Sequence, residues 1–186
     1  MAQLLRYQGD SVSYSGDYKA ARELYDQSLQ SAARAKDAEN ILLAKLALAR
    51  NDLQQGRSAA AISALKNLAQ QAESQGLKYE AVECSLDLGE ALLNTKALPQ
   101  ARLELERALT RSEKLGLRSL QARAEYLLAT VSRLSGSNSL ALDHYHESLR
   151  LLDEIRKEAG NDKIMARADF AAISNDTKRW AASSKP

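Results

Sequence analysis

The chain has two prolines in 186 residues, one of them the last, and a single cysteine, Cys84. A lone cysteine excludes an intrachain disulfide framework and any zinc site built from cysteines alone. Ile and Val are scarce beside abundant Ala and Leu. Because β-branched residues favour strands over helices, that scarcity indicates an all-helical chain. No apolar run approaches the roughly 18 residues of a membrane span. Met1 to Tyr7 lack the basic start, apolar stretch and cleavage site of a secretory signal. An excess of one charge is missing too. The 26 Lys+Arg against 24 Asp+Glu leave a formal net charge of +2, too little for a general nucleic-acid binder or a polybasic membrane anchor. What is present is an ordinary apolar fraction, 45%, which sets the chain apart from disordered sequences.

A repeat of 40 residues organises the sequence. Stepping by 40 joins Ala21, Ala61, Ala101 and Ala141. The same step joins Gly16, Gly56, Lys96 and Gly136, and keeps a small residue at Gly9, Ala49, Gly89 and Ala129. Tyr25, Leu65, Leu105 and Tyr145 stay bulky, and Leu29, Ala69, Leu109 and Leu149 stay apolar. Each unit reads as two helices, because apolar residues recur at three-to-four spacing on either side of a glycine-marked break. The spacing predicts helices near 2–15, 18–35, 38–55, 58–75, 78–95, 98–115, 118–135 and 138–159. Asp17, Ser58 and Asp37 are expected as N-caps, and Pro99 falls just inside a helix start. The alanine column lets the second helix approach the first, and the bulky column fills the space beside it. One hairpin cannot bury its stripe alone, so neighbours must stack into a solenoid.

Leu88-Gly89 followed by Ala101, Leu105 and Ala108, and Gly16-Asp17-Tyr18 followed by Ala21, Tyr25 and Leu29, resemble the tetratricopeptide repeats. The resemblance covers about residues 2–159. It implies a right-handed α-α superhelix of four helix pairs, with repeats at about 2–37, 38–77, 78–117 and 118–160. The 40-residue period looks like the lengthened-helix variety of bacterial signalling and regulatory proteins. Asp52 and Ser132 stand where the family commonly places a large residue. After Gly160, Asp162 is expected to cap a ninth helix over about 162–182. That helix would carry a stripe of Ile164, Ala168 and Ala171, be pinned by Phe170 and Trp180, and close the core of a single domain over 1–182. Residues 183–186 are expected to fray. The first helix starts later in its repeat than the others, so the chain is expected to be a fragment of a larger protein.

No Gly-rich phosphate loop, nucleophile elbow or metal-ligand spacing occurs, so no catalytic residue, metal or cofactor is assigned. His144 and His146 are two apart on a helix and point to different sides, a poor chelate. Cys84 reads as a small packed hydrophobe. By the resemblance, first helices line an inner groove where ligands bind, and the lining comprises Arg6, Tyr7, Asp10 and Tyr14, then Leu46, Arg50 and Leu53. Asp87, Glu90 and Asn94 follow, and then Arg123, Tyr126, Thr130 and Arg133. Arginine and tyrosine are enriched in binding hot spots. The lysine and asparagine clamp of chaperone-binding relatives is not reproduced, and acids interrupt any basic groove for nucleic acid.

These residues point to a noncatalytic protein–protein interaction scaffold that takes a peptide or protein partner in its groove. A small-ligand or signal-peptide sensor of a bacterial regulator is the second reading, and self-association through the N-terminal edge a third. The cytoplasm is the expected location, unless an upstream segment exports the chain.

Overall fold

The structure, a computed structural model, describes residues 1–183; the tail expected at 183–186 lies, after Ser183, outside the described residues. Among the described residues the chain forms nine α-helices and no strand: α1 (Ala2–Tyr14), α2 (Tyr18–Ala35), α3 (Ala38–Gln54), α4 (Ser58–Ser74), α5 (Lys78–Asn94), α6 (Leu98–Lys114), α7 (Arg118–Leu134), α8 (Asn138–Ala159) and α9 (Ala168–Ser183). The first eight begin and end within one residue of the expected bounds. The chain divides into two compact units, Met1–Thr95 and Lys96–Pro186.

In the first unit each helix packs on the next, and α1 also touches α3, and α3 touches α5. The odd helices therefore form one layer and α2 and α4 the other. In the second unit α6, α7 and α8 pack in succession, and α9 lies against both α7 and α8. The alanine column, Ala21, Ala61, Ala101 and Ala141, is fully buried. The bulky column is buried beside it at Tyr25, Leu65, Leu105 and Tyr145; each leucine there stabilises the fold by roughly 1.5–3 kcal/mol.

Each turn closes on backbone geometry. A residue in the left-handed region follows the helix, and after α2, α3, α4, α6 and α7 the next N–H reaches back five residues, as from Arg57 to the Asp52 carbonyl at 2.8 Å and from Leu77 to the Ala72 carbonyl at 2.9 Å. This is the double-bonded helix ending that glycine favours. Asp17 and Asp37 cap as expected, accepting from the N–H groups of Ala20 and Asn40, each at 3.0 Å. Ser58 does not cap: Arg57 holds that position and Ser58 is the first helical residue, already buried. The repeat explains the difference, since Arg57, not Ser58, is one step of 40 from Asp17.

The segment after Gly160 also departs from expectation. Asn161, not Asp162, caps it by accepting from Lys163 N–H, and a 3-10 turn over Asp162–Ala166 precedes α9. The stripe on α9 consists of Phe170, Ile173 and Thr177, all buried. Ala171 is only half-buried, Ile164 packs from the 3-10 turn, and the side chain of Ala168 lies outside the described residues. Phe170 and Ile173 pack on Ala122, Leu151 and Leu152, and the Trp180 ring lies 5.1 Å from that of Tyr145.

Where a large residue is missing, an arginine from the preceding helix fills in. Arg22 donates to Asp52 at 2.7 Å, and Arg102 donates to Ser132 at 3.2 Å. Serines tie the first and fourth pairs in the same way. Ser28 Oγ donates to the Ala2 carbonyl at 2.8 Å and Ser148 Oγ to that of Ala122 at 2.7 Å. The second pair has buried Leu68 and Leu42 at the equivalent positions.

Candidate functional site

The odd-helix layer of the first unit carries two clusters of polar side chains. On α1, Arg6 Nη1 lies 3.4 Å from Asp10 Oδ2. The Tyr25 hydroxyl, arriving from α2, donates to Asp10 Oδ1 at 2.9 Å. Burial, followed by the Asp10 charge, pushes the Tyr25 phenol above its ordinary range, against the opposing pull of Arg50. Arg50 on α3 then reaches two carboxylates of α5. Its Nε donates to Asp87 Oδ2 at 2.6 Å, and its Nη2 lies 3.0 Å from Glu83 Oε1.

The chemistry of Arg50 is set by these neighbours. Burial works against its charged form, but Asp87 and Glu83 outweigh that and raise its pKa above the ordinary arginine value. The Asp87 side chain is 1% exposed and the Arg50 side chain 37%. Ionic contact in such a place offsets a large desolvation cost only while both partners stay. The result is a guanidinium locked in direction, its Nη2 buried, on a side chain that is partly open to solvent. Cys84 sits beside this group, buried; burial and the nearby Asp87 push its thiol up to about 12, so it stays protonated near neutral pH.

The structure thus forms two clusters, one of Arg50 with Asp87 and Glu83 and the other of Arg6 with Asp10 and the Tyr25 hydroxyl. Tyr7 adjoins the second, with the Arg6 guanidinium 4.5 Å from its ring centre, and is 53% exposed; Tyr14, at the end of α1, is 73% exposed. Glu90 lies half-buried on α5. Glu83 and the Tyr25 hydroxyl went unassigned in the sequence. The signal for Glu83 was its place one helical turn before Asp87, on the same face.

In the second unit, the remaining candidates occupy α7. Arg123 and Arg133 are half-buried, and Arg133 Nε is buried without a hydrogen-bond partner. The Tyr126 hydroxyl donates to Asp176 of α9 at 2.8 Å, so this tyrosine anchors the last helix. His144 is also engaged: its Nδ1 lies 2.6 Å from Glu125 Oε2, inside the α7–α8 pair. Among the described residues no group of three or more His, Cys, Asp or Glu is placed to hold a metal, and no helix is long and apolar enough to cross a membrane.

No protein-family model matches the sequence, and no curated protein matches it significantly. Solved structures do match the fold. The apo form of RapI superposes with a TM-score of 0.75 at 12% identity, over 98% of this chain and 69% of that one. Aspartyl phosphate phosphatase F from Bacillus subtilis gives 0.73 at 13%, over 98% and 49%. The Rap conjugation gene regulator of plasmid pLS20, in complex with the Phr* peptide, gives 0.69 at 17%, over 92% and 50%. The chain spans about half the length of the last two. At these identities the likeness concerns the fold: this chain is an all-helical repeat protein of tetratricopeptide-like kind, similar in fold to bacterial Rap regulators.

Proposed function

We propose that the chain is a noncatalytic scaffold that binds a peptide or protein segment along the odd-helix layer of its first unit. The observation that carries this reading is the pair of exposed tyrosines on α1, Tyr7 and Tyr14, in the same helix layer as the Arg50 that Asp87 and Glu83 fix. Exposed tyrosines offer large contact area at low entropic cost, and a guanidinium already held in place loses little freedom on binding. Among the half-buried groups of this face Asp10, Glu83 and Glu90 outnumber Arg6 and Arg50. A segment that pairs a basic side chain with an apolar one suits that balance. The Rap regulator of pLS20, solved with the Phr* peptide, gives the reading a precedent in the same fold. The name of aspartyl phosphate phosphatase F describes an activity of that protein, of which this chain matches 49%.

Selection of short peptides from a random library on the immobilised full chain tests the proposal. Selected peptides should bind the Tyr7→Ala/Tyr14→Ala variant at least tenfold more weakly. Both residues are exposed, so the variant should keep its helicity and thermal midpoint. Selection of no binders, or binders indifferent to both tyrosines, would contradict it.

A further inference from the structure

The odd helices after α1 share one covered face. Ala44, Ala47 and Asn51 of α3 are buried. So are their equivalents at steps of 40: Cys84, Asp87 and Ala91 on α5, then Ala124, Leu127 and Val131 on α7. The helix packed on each is the even helix before it, α2 on α3, α4 on α5 and α6 on α7. Ala47, for instance, packs with Ala21 and Tyr25 of α2. On α1 the matching positions are Leu4, Tyr7 and Ser11, and all three are exposed, Leu4 at 56%. They fall on one helix face with Gln8, also exposed, and carry no charge. Exposed apolar side chains gathered on one face mark an interaction surface.

We propose that the bound segment docks here as an α-helix, antiparallel to α1, as α2 docks on α3. The inference rests on the proposed function and adds to it the segment's conformation, its direction and the make-up of its contact row. An amphipathic helix anchors by residues at three-to-four spacing, and Leu4, Tyr7, Gln8 and Ser11 offer the matching spacing. The direction follows from the two ends of the existing contacts. Asn51 Nδ2, near the end of α3, donates to the carbonyl of Tyr18, the first residue of α2, at 2.9 Å. Gln121 Nε2, near the start of α7, donates to the Ser112 carbonyl, in the last turn of α6, at 3.0 Å. Ser11 holds the position of Asn51, so the docked helix begins beside Ser11 and ends beside Leu4. Its contact row is uncharged. Arg22 of α2 meets Asp52, but the position 40 before Asp52 is Val12, so an apolar residue takes the place of that arginine. Tyr7 belongs to this row and, through the Arg6 guanidinium on its ring, to the proposed partner face.

Peptides selected on the full chain test the docking. Binding should raise the helical circular-dichroism signal above the sum of the free components. A proline in the middle of the peptide should weaken binding at least tenfold, because it breaks a helix. Leu4→Glu and Ser11→Lys should each weaken it at least tenfold; both residues are exposed, so each variant should keep the wild-type thermal midpoint. Gln27→Lys, on the exposed side of α2, should leave binding unchanged. A spin label on the peptide's amino terminus should broaden the amide signal of Ser11 more than that of Leu4. Peptides that need Tyr7 and Tyr14 yet ignore Leu4 and Ser11, gain no helix or broaden Leu4 more overturn the docking and leave the proposed function standing. Peptides that ignore the tyrosines, or selection of none, overturn both. A wild type that sediments as a dimer and is dissociated by Leu4→Glu overturns the docking by assigning the face to a second copy.

Discussion

Gly9 has no room for a side chain, because a Cβ there would stand 2.5 Å from Cε1 of Tyr25. The fourth pair carries Ala129 beside Tyr145 at the equivalent place. There the tyrosine hydroxyl is 3.5 Å from Thr130, against 2.9 Å from Tyr25 to Asp10. A methyl group at position 9 should therefore push the Tyr25 ring aside and loosen its bond to Asp10. Gly9→Ala is expected to cost about 1–3 kcal/mol, read from urea unfolding, and Tyr25→Leu in the same chain should recover part of it. Lys96 makes the opposite case. It stands in a glycine column yet adopts φ +61°, a backbone that costs a non-glycine residue roughly 1 kcal/mol. Lys96→Gly should raise stability by about that amount, and an unchanged or lower denaturation midpoint would contradict this. Removing Arg50 takes an ionic partner from the buried Asp87. Arg50→Met should cost about 3 kcal/mol, the low end for a broken buried pair because Arg50 is partly exposed. Arg50→Met with Asp87→Leu should restore much of the loss.

Among the elements, α3 depends on a cap that titrates. The Asp37 carboxyl accepts from the Asn40 N–H at 3.0 Å and from its side-chain amide at 2.7 Å. These bonds hold its pKa below the ordinary 3.8. A depressed value means that the ionised form favours the folded state. The contribution is therefore complete above pH 3.8 and is lost as pH falls through the lower folded value. Asp37→Asn, also a good cap, should flatten that part of the pH–stability curve; a curve unchanged by the substitution would assign the acid sensitivity elsewhere. The helices themselves were legible because the period of 40 repeats every turn, and a left-handed residue at a fixed place ends each of the first seven helices, lysine included. Ser58 was misread because residue preference outweighed register. The start of α9 was misread because Gly160, Asn161 and the 3-10 turn fall outside the repeat. The network around Arg50 was half legible. Its members lie at inner-face positions, but which acid meets which arginine depends on how far α5 advances past α3, and a pattern in one chain does not carry that.

At the scale of the molecule, the four-pair reading meets a chain that divides at Thr95–Lys96, inside the third pair. The face-lining residues accordingly serve two ends. In the first unit they form two polar clusters, with exposed tyrosines on α1, and in the second Tyr126 is spent on holding α9. The proposed recognition therefore rests on α1, α3 and α5. Hydrogen–deuterium exchange of the full chain, with and without a peptide selected on it, tests that most directly. The account predicts slowed exchange concentrated in α1, α3 and α5, with α2 and α4 unchanged. Slowed exchange confined to α4 or to α8 and α9, with α1 and α3 unaffected, would contradict it.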